Sequence, residues 1–63
     1  MAVEKPELAK RTLIFLREHP GIKLVAIEKE LGVSRIEAGR LVRALMDTGK
    51  VRRDEDTRQY YLI

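Results

Sequence analysis

Sixty-three residues suffice for one small domain, spanning 1–63, and a chain this short buries only ~60% of the surface its unfolded form exposes. Without a single cysteine it excludes disulfide staples and thiolate metal sites, so capped helices, a tight core or a second chain must supply its stability. Charged residues make up 37%, there is no Asn and Gln59 is the one Gln, a composition expected of a heat-adapted protein.

The opening "MAVEKPELAK" mixes acids with bases and lacks the apolar run of a signal peptide. The longest apolar runs, "LIFL" and "LVAI", are too short to span a bilayer. A soluble, cytoplasmic chain without a membrane partner is therefore expected. Pro6 suits a first helical turn, because its missing N–H would have no helical partner there, and Glu4 and Glu7 favour the positive end of the helix dipole. The pattern predicts a first helix over residues 6–18, stopped by "HPG", with Leu8, Leu13 and Leu16 towards a core and Arg11 and Arg17 outside.

Ile22 and Lys23 are expected to form a short strand after that turn. A second helix of two turns follows, from Leu24 or Val25 to Leu31, with Ile27 and Leu31 on its buried side and Gly32 in a left-handed conformation past its end. The third helix is the clearest. Ser34 with Glu37 three residues later forms a capping box, and Ala38, Val42 and Leu45 make a core stripe that ends at Gly49. Leu41 and Met46 widen the stripe. Arg35, Gly39, Arg40, Arg43 and Asp47 are left outside it, with Ile36 on the border. "KVRR" and "RQYYLI" then favour strands around a "DEDT" turn, giving a β-hairpin in which one of Tyr60 and Tyr61 faces inward.

The basic charge is unevenly placed. Residues 34–53 carry six bases and two acids, whereas 1–33 carry six and five, and 54–63 carry one and three. Arg35, Arg40 and Arg43 therefore form an arginine-rich side of one helix, with Arg52, Arg53 and Arg58 beside the hairpin turn. Clustered arginines where acids are sparse point to a polyanion. The plainer reading is a solvated face on which Glu37 and Asp47 partner the arginines. Gly39 costs the helix ~1 kcal/mol relative to Ala, which calls for a reason. Either the second helix packs closely against it, or an external surface approaches it.

The "LGVS" turn, the run from Ala38 to Lys50 and the closing "YYLI" resemble the winged helix-turn-helix DNA-binding family over nearly the whole chain. The resemblance implies a mainly α fold with a small hairpin (α+β), three helices and a two- or three-stranded wing. It implies that Ser34, Arg35, Ile36, Gly39, Arg40 and Arg43 face the major groove of double-stranded DNA. Lys50, Arg52, Arg53 and Arg58, with Lys23, then lie near phosphates. The acidic tip of Asp54, Glu55 and Asp56 departs from a basic wing, and leaves phosphate contact to the wing's flanks.

A branch of the same family binds left-handed nucleic acid through an asparagine and a tyrosine in the third helix and prolines and a tryptophan in the wing. Alignment on Gly49 and Lys50 puts Gly39 and Arg43 at the first two positions. No proline follows Pro20 and there is no tryptophan, so that branch is set aside. Catalysis has little support. His19 is the only histidine and sits at a helix end, Ser34 is the only serine and serves the cap, and no phosphate loop, metal spacing, cofactor motif or small-molecule pocket is evident. The expected function is a small transcriptional regulator or architectural DNA-binding factor, not an enzyme. The alternative is an interaction subunit docking on a larger protein complex. A lone module binds DNA weakly, so a homodimer is expected, with Ile14 and Phe15 of the first helix as its best seam.

Overall fold

A computed structural model describes residues 6–63; Glu4 lies outside them. Three helices, α1 (Pro6–Glu18), α2 (Leu24–Leu31) and α3 (Arg35–Asp47), precede an antiparallel hairpin of β1 (Val51–Arg53) and β2 (Tyr60–Leu62). No described helix is long and apolar enough to cross a membrane.

The α1 boundaries match those predicted, and Leu8, Leu13 and Leu16 face the core as expected, with Thr12 added to the buried row. Leu16 is buried as expected, and so is Thr12, while Leu8 and Leu13 are half-buried against the core. Thr12 is admitted because its Oγ1 donates to the Leu8 carbonyl at 2.8 Å, which leaves no unpaired hydroxyl in an apolar setting. Leu8, Thr12 and Leu16 are spaced by four, so one helical row carries all three. Phe15, expected on a dimer seam, instead packs against the core with its ring 5.2 Å from that of His19; Ile14 stays exposed.

Helix α2 is held by Ile27 and Leu31, and Gly32 ends it at φ 68°. The N–H groups of Gly32 and Val33 both donate to the Glu28 carbonyl, so the turn into α3 needs only residues 32–34. Ser34 then caps α3, its Oγ accepting from the Glu37 N–H at 3.1 Å. At the other end Gly49 takes φ 78°, Gly49 N–H donates to Met46 and Lys50 N–H to Leu45. Those two bonds form a Schellman motif, which turns the chain sharply into the hairpin.

Lys50 belongs to that helix ending, so β1 begins only at Val51. Likewise β2 begins at Tyr60, because Arg58 adopts φ 65° and interrupts the extended run expected from "RQYYLI". Asp54 builds the loop between the strands. Its Oδ1 accepts from the N–H groups of Asp56 and Thr57, and its backbone exchanges hydrogen bonds with Arg58 and Gln59. The register pairs Val51 with Leu62, Arg52 with Tyr61 and Arg53 with Tyr60. Of the strand expected at Ile22 and Lys23, only Ile22 takes part, as one bridge to Tyr60. Val51 and Tyr60 close the core over Leu16, Ile27, Ala38, Val42 and Leu45.

Candidate nucleic-acid interface

Core packing decides which side of α3 is presented. With Ala38, Val42 and Leu45 buried, the opposite side carries Ile36, Arg40, Arg43 and Asp47, all exposed. Ile36 is 69% exposed, so it stands on this face and not at its border. Among the described residues neither Arg40 nor Arg43 makes an ion pair. Arg35 does: its Nε donates to Glu28 Oε2 at 3.0 Å, tying the start of α3 to α2. Among the described residues, the acid that pairs with an arginine of this helix is Glu28 of α2.

The two readings of Gly39 are now separable. A Cβ built on it would meet no side chain or neighbouring element within 4 Å. Close packing of α2 does not require the glycine, which opens onto the surface beside Arg43. Here α3, the start of α2 and the hairpin form a groove, floored by Leu24, Val42, Met46 and Tyr60 and flanked by Arg43 and Arg53. It continues past Lys23, Arg35 and Arg58. Five cations from distant parts of the chain thus border one trough: Lys23, Arg35, Arg43, Arg53 and Arg58.

Three expected site residues fall elsewhere. Arg40 stands on the other shoulder of α3, beside Leu8, Glu37 and Leu41. Arg52 alternates to the opposite side of the hairpin from Arg53, where its guanidinium lies 4.5 Å from the centre of the Tyr61 ring. Lys50 is exposed at the hairpin's base, away from the loop that carries Arg58. Ser34 spends its acceptor on the cap, and its hydroxyl proton is still able to donate.

Arg53 is only partly exposed and bonds both carboxylate oxygens of Glu55, at 3.2 and 3.3 Å. The hydrogen bond to Glu55, followed by that to Tyr60, raises its already high pKa. The acidic loop therefore folds back on its own arginine, and Asp54 is consumed by the turn. Leu24 and Met46 were not legible as site residues, because their apolar side chains read equally well as core.

Helices joined by a three-residue turn, followed by a hairpin against the third helix, give this chain the winged helix-turn-helix fold. A solved structure describing the binding mode of the Cyprinid Herpesvirus3 ORF112-Zalpha domain to Z-DNA superposes with a TM-score of 0.85 at 27% identity. The match covers 98% of this chain and 100% of the other. No family model matches the sequence, and neither does any curated protein. The fold is thus like that of a Zalpha domain.

Proposed function

We propose that this domain binds double-stranded DNA, with α3 in the major groove, as a small transcriptional regulator or architectural factor. The observation that carries the reading is the exposed face of α3, where Arg40 and Arg43 make no ion pair among the described residues and Gly39 leaves the backbone open. The likeness to a Zalpha domain whose solved structure describes binding to Z-DNA supports the DNA-binding part of this reading. An α-helix fits the major groove, and an arginine can bond guanine O6 and N7 together. Arg43, at the mouth of the trough, is assigned that role. Lys23, Arg35, Arg53 and Arg58 meet phosphates along the trough, and Arg40 meets the opposite groove wall. Arg52, stacked on Tyr61, takes no direct part.

Five phosphate contacts correspond to a slope of log affinity against log salt of about −4.5. One module of this size buries roughly 600–1,000 Å² on DNA, so high affinity requires a second copy. A left-handed duplex is the second reading, favoured by the Zalpha likeness. Fluorescence anisotropy with a random-sequence duplex across a salt series tests the proposal, with Arg40→Ala/Arg43→Ala alongside. Steeply salt-dependent binding that the variant loses is expected. Circular dichroism of an alternating d(CG) duplex separates the two DNA forms, since a left-handed product inverts the spectrum. Absence of binding to both the random-sequence and the d(CG) duplex at low salt refutes both forms and leaves a protein-docking module.

A further inference from the structure

The DNA-facing side of α3 has an apolar side chain at its centre. Ile36, in the first turn, is 69% exposed and is absent from both the core and the residues packed against it. A β-branched residue loses rotamer freedom in a helix, and here no burial within the chain offsets that loss. Its neighbours define what can cover it. Arg40 and Arg43, four and seven residues on, share its face, and Arg35 precedes it. Gly39, three residues on, leaves a notch beside it in which an added Cβ would meet nothing. A basic or purely apolar partner is repelled by such surroundings, whereas a polyanion is attracted.

Within the major groove the apolar feature on the base edges is the 5-methyl group of thymine. The first turn of a groove-entering helix is also the part that reaches those edges. We propose that Ile36 reads this methyl group and gives the domain a preference for thymine at one position of its site. The inference rests on the placement of α3 in the major groove proposed above. Gly39 contributes by letting the base edge sink towards the helix backbone beside the isoleucine, while Arg40 and Arg43 hold the flanking DNA.

The test compares two duplexes, one of alternating dA and dT and one in which every thymine is replaced by uracil, so that only methyl groups differ. Anisotropy titrations at one low salt concentration use the full chain and its Ile36→Ala variant, whose exposed position leaves the fold intact by thermal unfolding. The native chain is expected to bind the thymine duplex about fourfold tighter, the worth of one buried methyl group. In Ile36→Ala that ratio falls to about one, with affinity for the uracil duplex unchanged. Equal, salt-sensitive binding of both duplexes by the native chain overturns the methyl reading and leaves DNA binding standing. A preference that survives in Ile36→Ala also overturns it. Failure to bind either duplex, with the random-sequence duplex also unbound at the same salt, removes the DNA reading along with this one. Binding of the random-sequence duplex alone overturns only the methyl reading.

Discussion

Replacing Gly39 by alanine sets two physical accounts of α3 against each other. If the glycine existed to let α2 approach, an added methyl group would collide and destabilise the fold by about 1–3 kcal/mol. The structure gives the opposite sign. The methyl group meets no neighbouring side chain within 4 Å, and Gly39 is not among the glycines with positive φ. Only the helix-forming preference remains, worth about 0.8–1.0 kcal/mol in favour of alanine. For a domain this small, 1 kcal/mol moves the melting temperature by about 4–8 °C. Gly39→Ala is therefore expected to melt several degrees higher, followed by far-UV circular dichroism, while binding DNA several-fold more weakly because the methyl group holds a base edge away. A lower melting temperature would refute the geometry. A stabilised variant with unchanged DNA affinity would refute the assignment of Gly39 to the interface.

Further expectations concern the loop, the hairpin and the core. Glu55→Gln breaks the charged pair with Arg53, and the solvent exposure of Glu55 keeps the stability loss small. It also removes a negative charge near phosphate and frees Arg53, so DNA affinity should rise about two- to fivefold; a fall would show that the pair positions Arg53 productively. Arg53→Ala should weaken binding on all sequences and flatten the salt slope by about 1, whereas Arg52→Ala should leave both nearly unchanged. Equal losses for the two in anisotropy would contradict their placement on opposite sides of the hairpin. Ile27→Ala, at a position with no exposure, should cost about 2–5 kcal/mol in chemical denaturation. That is a large share of the roughly 3–9 kcal/mol expected for a chain of this length, and a cost below 1 kcal/mol would contradict the core described.

The sequence by itself determined the local features. The span of α1 from Pro6 to Glu18, the Ser34 cap, and the left-handed glycines at 32 and 49 all follow from backbone chemistry within a few residues. So did the hairpin and the inward tyrosine, since alternation along a strand is a local rule. The extent of the strands was less legible. Arg58 looks like a strand residue until the hydrogen bonds around Asp54 require it to turn left-handed. Only the tertiary structure decided how the arginines are sorted. Periodicity places Arg40 and Arg43 outside the core stripe but does not say that one faces α1's side and the other the hairpin. Arg52 and Arg53, adjacent in the chain, are separated because the hairpin packs its Tyr60 side against the helices. The openness at Gly39 and the burial of Thr12 were settled in the same way. Each depends on which distant element lies opposite, and that follows from how the whole core closes, not from the spacing of neighbours along the chain.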